Sequence, residues 1–298
     1  MLTRRQTIAA AALAPLIVAG PAHAQQKLKV VASFSILGDL VRNVGGERVD
    51  VVTLVGPNGN AHVYAPSPAD AKKLVDAKLV LVNGLGFEGW LNRLVSASGS
   101  KAPIVVASKG IKPREGHGDH DHGKIDPHAW QSVANVKVYV GNIRDALIVA
   151  DGAGKDAYAA NASTYLAKLD ALEREVKDTI GKIPAGRRRL ITSHDSFGYF
   201  EDAYGVDFIA PQGVSTEAEA SAKDIAAIIT QVKKQKVSAV FLENVSDPRL
   251  VRQIASETGA KIGGTLYSDA LTDDKGDAPS YIELIRHNLK QLAAALVG

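Results

Sequence analysis

The sequence predicts an α/β protein of two lobes, each a mostly parallel sheet flanked by helices, joined by a long rigid linking helix. Three observations carry this reading. Apolar, β-branched runs of strand length alternate with helical patterns, the alternation occurs twice, and one unbroken helical seam lies between the two passes. A chain of 298 residues has room for two such units, since domains run at roughly 100 to 200 residues each.

In the first pass, Leu28 to Phe34, Val51 to Val55, Leu79 to Val82 and Ile104 to Ala107 read as strands. Between them, Ala69 to Asp76 and Glu88 to Ser96 read as short helices. Ser132 to Ala150 places apolar residues at 136, 140, 143, 147 and 150, which is one face of a helix. Asp156 to Ile180 then carries Tyr158, Ala162, Tyr165, Leu169, Leu172 and Val176 at spacings of four and three. At ~1.5 Å per residue this seam spans roughly 37 Å, and Gly181 and Pro184 end it. The second pass runs through Leu190 to Thr192, Phe208 to Ala210, Val237 to Leu242 and Lys261 to Leu266. The expected division is an N-terminal lobe over 25–150, a linking helix over 151–184 and a C-terminal lobe over 185–298.

Residues 1–24 read as a removable signal peptide. Arg4 and Arg5 form a charged start, Ile8 to Gly20 is apolar, and Ala22-His23-Ala24 has the form of a cleavage site. The run is too short to span a bilayer. Thr3-Arg4-Arg5 resembles a twin-arginine signal, yet Thr7 stands where such signals usually carry Phe, so Sec and Tat export both stay open. The expected location is the periplasm. Without the leader, 33 basic residues face 32 acidic ones, which gives no electrostatic reason to expect nucleic acid or an anionic membrane as a partner. With no cysteine in the chain, a metal would have to be held by His, Asp and Glu.

One segment is of low complexity. Glu115 to Gly123, E-G-H-G-D-H-D-H-G, gathers His117, Asp119, His120, Asp121 and His122 without an apolar residue to dock them. Such a loop suits loose, fast capture of a soft or borderline cation, a secondary low-affinity site.

Ligands of open parallel sheets bind beyond the carboxyl ends of the strands. His62, in G-N-A-H-V-Y-A-P-S-P, follows the strand ending at Val55, and His128, in D-P-H-A-W, follows the strand ending at Ala107. In the second pass, His194, in T-S-H-D-S-F-G-Y-F, follows Thr192, and Asp269, in L-Y-S-D-A-L, follows Leu266. Two ligands from each lobe could therefore meet in one cleft. Three imidazoles and a carboxylate match four-coordinate zinc, whereas manganese and magnesium favour more oxygen ligands. Asp126, Asp195 and Glu243 are carboxylates placed to orient these ligands. Trp130 and Phe197 read as core or cleft walls, and His287 as an ordinary surface or packing residue of a C-terminal helix.

In this order, the four segments resemble the substrate-binding proteins of zinc and manganese ABC importers, over nearly all of the chain beyond the leader. The resemblance implies a metal shell of His62, His128, His194 and Asp269, and delivery of the ion to an inner-membrane ABC permease. Manganese-type relatives usually carry Glu in a T-S-E segment at the third ligand, so His194 places this sequence with the zinc type. The absence of cysteine and the run P-Q-G-V-S-T-E-A-E-A-S resemble the cysteine-free zinc subgroup, which works beside a periplasmic zinc metallochaperone. The expectation is therefore a monomeric Zn2+ carrier, not an enzyme. A manganese-binding carrier or adhesin of the same fold is the alternative. A zinc hydrolase is the weaker rival, because no H-E-x-x-H occurs and four ligands leave no place for water.

Overall fold

A computed structural model of the chain describes residues 26–116, 124–235, 237 and 239–297. The His-rich positions His117, Asp119, His120, Asp121 and His122, and the leader, lie outside the described residues.

The first sheet contains β1 (Leu28–Phe34), β2 (Val49–Val55), β3 (Leu79–Val82) and β4 (Ile104–Val106), all parallel, in the order β2-β1-β3-β4. Three helices connect and flank them: α1 (Ser35–Gly45), α2 (Pro68–Asp76) and α3 (Leu91–Ser98). After α4 (Val133–Ala150), the linking helix α5 runs from Lys155 to Gly181. The second sheet repeats the plan. Its strands are β5 (Arg189–Ile191), β6 (Asp207–Ile209), β7 (Ala239–Glu243) and β8 (Lys261–Leu266), parallel in the order β6-β5-β7-β8. Helices α6 (Gly198–Tyr204), α7 (Ala222–Gln235), α8 (Pro248–Thr258) and α9 (Tyr281–Leu296) complete the chain.

The strand order explains where a ligand can sit. In each sheet the chain moves outward in one direction from the first strand and then returns to build in the other, leaving a crevice at the carboxyl ends. The two crevices face each other across the lobe junction.

The expected seam of α5 is buried, as Tyr158, Ala162, Tyr165, Leu169, Leu172 and Val176 all face inward. One hydrophobic core runs through this helix into both halves, taking in Leu37 of α1, Val140 of α4, Phe200 of α6 and Leu289 of α9. A smaller core, with Ile191, Val240, Val251 and Ile254, lies on the outer side of the second sheet. None of the helices among the described residues is long and apolar enough to cross a membrane.

Strand ends differ from the sequence reading by a residue or two. Val49 and Asp50 extend β2 because they pair with Leu28 and Lys29. β4 ends at Val106, where Ala107 turns away, although its N–H still bonds to Val82. Residues 115 and 125 pair antiparallel, so the His-rich segment leaves from a closed stem.

Candidate metal centre

His62 sits in a segment built to hold still. The Asn60 side-chain oxygen accepts the His62 N–H at 3.0 Å, and Trp90 Nε1 donates to the Ala61 carbonyl at 2.7 Å. Downstream, Ser67 caps α2 with Pro68 in the first turn, and Asp70 accepts the Ser67 N–H at 2.8 Å and the Tyr64 hydroxyl at 2.8 Å. Burial works against the Asp70 charge, but hydrogen bonds from Ser67, Lys73 and Tyr64 hold its carboxyl well below the usual range. The motif after His62 is thus a helix start, and Phe87 meets the His62 ring edge-on at 4.8 Å.

His128 and His194 are each oriented by a carboxylate. Asp126 Oδ1 lies 2.8 Å from His128 Nδ1 and also accepts the His128 N–H at 2.9 Å, while its other oxygen takes Arg114 Nη1 at 2.9 Å. Glu243 Oε2 lies 2.7 Å from His194 Nδ1, and its Oε1 accepts the N–H groups of Ser193 at 2.6 Å and His194 at 3.0 Å. A carboxylate at Nδ1 fixes the tautomer that turns the Nε2 lone pair inward, the arrangement of a metal-bound imidazole. Asp195 is not the residue at His194 Nδ1; it lines a neighbouring pocket with Glu201, Asp207 and Phe208.

Asp269 lies in the turn after β8. Trp130 Nε1 and Gln131 Nε2 both donate to the carbonyl of Ser268 at 2.8 Å, and Asn244 Nδ2 donates to that of Ala270 at 3.1 Å. The Asp269 side chain is fully buried, and no backbone N–H or hydroxyl among the described residues hydrogen-bonds either oxygen. A buried carboxylate without such donors is costly unless a cation meets it.

The four side chains converge. Potential ligand atoms of His62, His128, His194 and Asp269 all lie within 4.8 Å of one another, and all four residues are buried. His62 Nε2 is 3.2 Å from His128 Nε2 and 3.3 Å from Asp269 Oδ2; His194 Nε2 is 3.2 Å from the same oxygen; His128 Nε2 is 3.5 Å from Asp269 Oδ1. Ligands at ~2.0–2.1 Å from a tetrahedral ion are separated by about 3.3–3.4 Å. The spacing therefore suits an ion at the centre.

The electrostatics differ between the rings. Burial lowers the His62 pKa, which keeps that ring neutral and able to ligate. Burial also opposes charge on His194, but Glu243 and Asp269 outweigh it and hold the pKa well above the usual value, so an entering cation takes the place of the Nε2 proton of that ring. Asp269 is driven well below its ordinary range, burial being overcome by His194 and His128. Three buried carboxylates, Asp126, Glu243 and Asp269, surround the centre, and the Arg114 guanidinium beside Asp126 is shared with Asp202 at 3.1 Å, so the surroundings favour a cation there.

The family described as zinc-uptake complex component A, periplasmic (ZnuA), matches residues 30–295. The chain belongs to this family. It is a metal-binding substrate-binding protein of the ABC importer class, not an enzyme, and such proteins work with membrane permease components. The manganese-binding lipoprotein MntA of Halalkalibacterium halodurans is 35% identical over 279 residues, 93% of this chain and 91% of that protein. The iron-binding protein YfeA of Yersinia pestis is 33% identical over 273 residues, 92% of this chain and 88% of that protein. Among solved structures, the periplasmic zinc-binding protein TroA of Treponema pallidum superposes with a TM-score of 0.86 at 29% identity, over 92% of this chain and all of that one. A manganese-bound periplasmic metal-binding protein of Candidatus Liberibacter asiaticus gives 0.82 at 31% identity, over 91% of this chain.

The remaining positions fall into place around the site. Trp130 is a cleft wall, its ring 5.2 Å from that of His128, whereas Phe197 is core of the second lobe, stacked on Phe208 at 4.7 Å. His287 packs on Tyr267 and bonds to the Thr265 carbonyl, away from the centre. Sequence reading did not find Asn60, Phe87, Glu88 or Arg114. Glu88 is buried and accepts the Ser33 hydroxyl and the Asn83 N–H, each at 2.6 Å, which folds the turn that carries Phe87. Its position six residues past the end of β3, in the loop beyond a strand's carboxyl end, was the available signal.

Proposed function

We propose that this protein captures one Zn2+ between its lobes, with His62, His128, His194 and Asp269 as ligands, and hands it to an ABC permease for import. The observation that carries this reading is the meeting of three imidazoles and one carboxylate in a buried centre, with neighbouring ligand atoms 3.2–3.5 Å apart. That donor set favours zinc over manganese, which prefers more oxygen ligands. Export to the periplasm after removal of residues 1–24, a monomeric state, a metallochaperone partner and the division at 25–150, 151–184 and 185–298 belong to the same reading. Asp126 and Glu243 hold the ligands from behind.

Manganese is the second reading, supported by the names of relatives such as the manganese-binding lipoprotein MntA. The test is competition titration of metal-stripped residues 25–298 with Zn2+ and then Mn2+, counting bound metal by elemental analysis. One tight zinc per chain that manganese does not displace is the expected result. A manganese preference would overturn zinc as the cargo, and no tight site would overturn the ligand set.

A further inference from the structure

Resting on that reading of the centre, the route by which the ion comes and goes can be located. His128, His194 and Asp269 are sealed at 0% exposure, whereas His62 retains 6%. His62 is also the ligand that lines a cavity of about 550 Å3 opening to solvent, with Leu85, Phe87 and Pro127 on the first-lobe side and Val214, Ser215 and Glu217 on the other. An ion leaving by this cavity passes His62 and the segment 214–217 of the second lobe.

The Asn60 side chain ties that segment across the junction. The Asn60 amide uses both its ends. Its oxygen accepts the N–H of His62 at 3.0 Å, and its Nδ2 donates to Thr216 Oγ1 at 2.9 Å and to the Val245 carbonyl at 3.2 Å. One planar amide thus connects the exposed ligand, the wall of its cavity and the turn after β7. We propose that Asn60 is the latch of the metal exit path, holding the 214–217 wall shut beside His62, so that breaking its bond to Thr216 is a step of metal release. Asn60 touches no metal ligand atom and acts by position. A neutral hydrogen bond breaks at modest cost, while the ligands themselves set how tightly the ion is held.

The experiment is a chelator chase of the zinc-loaded full-length mature chain, comparing wild type with Thr216→Val and Asn60→Ala. Thr216→Val is nearly isosteric and removes the acceptor alone. Zinc release should quicken roughly 2- to 10-fold in Thr216→Val, the range set by one neutral hydrogen bond, and more in Asn60→Ala. The association rate and the apo melting temperature of Thr216→Val should stay at wild-type values, and the double variant should release zinc no faster than Asn60→Ala. Unchanged release in Thr216→Val would overturn the latch, as would faster release accompanied by a lowered apo melting temperature, which marks general loosening. A wild-type chain that takes up no zinc would overturn the proposed function and the latch with it.

Discussion

Replacing Glu243 with Gln tests the centre without touching a ligand. The substitution keeps the shape, and the amide oxygen can still accept the N–H groups of Ser193 and His194 that Oε1 receives at 2.6 and 3.0 Å. What changes is the partner of His194 Nδ1, where Oε2 now lies at 2.7 Å. A Gln amide presents N–H there, facing the Nδ1–H of the metal-ready tautomer. To avoid two opposed donors, the ring must rotate or move its proton to Nε2, which removes the lone pair that binds the ion. The centre also loses one of its three buried carboxylate charges. Loss of an outer carboxylate costs 10- to 100-fold in metal affinity, and with both effects present the expected loss is near the upper end, about 100-fold or ~2.8 kcal/mol. The assay is zinc competition against a chelator of known affinity, with apo melting curves as the control for folding. A folded Glu243→Gln protein that binds zinc within twofold of wild type would refute the argument that Glu243 fixes the His194 tautomer.

Further outcomes follow from the same structure. Deleting residues 117–123 should remove weak zinc equivalents and leave the tight one, as read by titration; loss of the tight equivalent would move the main site to the loop. Leu169→Ala, at a fully buried position of α5, should cost about 2–5 kcal/mol in urea unfolding, and a cost under ~1 would contradict a load shared through that helix. Asp39, in α1, has its pKa raised to about 6 by burial, despite accepting the Tyr281 N–H at 2.9 Å. Its folded pKa lies above the unfolded value, so the folded state binds the extra proton and stability falls as pH rises from about 4 to 6, then stays lower. Asp39 is half-buried, which discounts the rise to about 6 to an expected penalty of about 1–2 kcal/mol. Asp39→Asn should flatten that part of the urea-stability profile of the apo protein; parallel profiles would show that Asp39 is not the titrating group.

What the sequence made legible was whatever is local. β-branched runs marked the strands, the spacing of Tyr158, Tyr165, Leu169 and Val176 marked α5, and position after a strand marked all four converging side chains. Asp126 could be linked to His128 because it lies two residues away, and Glu243 because it ends a strand. Asp195 illustrates the limit. It adjoins His194 in sequence, but the chain bends there on its way to α6 and Asp195 lines a neighbouring pocket, while the carboxylate that reaches the ring comes from β7, 49 residues on. Asn60 shows the same limit from the other side, as its partners at 216 and 245 lie 156 and 185 residues away. Pairings of that range depend on how the two sheets are set against each other, and no local pattern encodes it.

The lobe junction argues that release proceeds by a local movement. Trp130 Nε1 donates to the Ser268 carbonyl at 2.8 Å, the Tyr281 hydroxyl to the Trp130 carbonyl at 2.8 Å, and the Val133 N–H to the Tyr204 hydroxyl at 3.1 Å. All three aromatic rings belong to the core that continues from one half into the other. Aromatic side chains bury 150–250 Å2 each, so exposing even half the surface of these three costs about 6–9 kcal/mol at ~25 cal/mol per Å2. That is comparable to the whole stability of a typical protein, ~5–15 kcal/mol, so swinging the lobes apart as rigid bodies about α5 approaches the cost of unfolding. Moving Thr216 and its neighbours costs less, because residues 214–217 are not part of that core and the bond from Asn60 to Thr216 is a neutral one. The continuous core that keeps the ligands aligned therefore directs opening to the cavity wall beside His62.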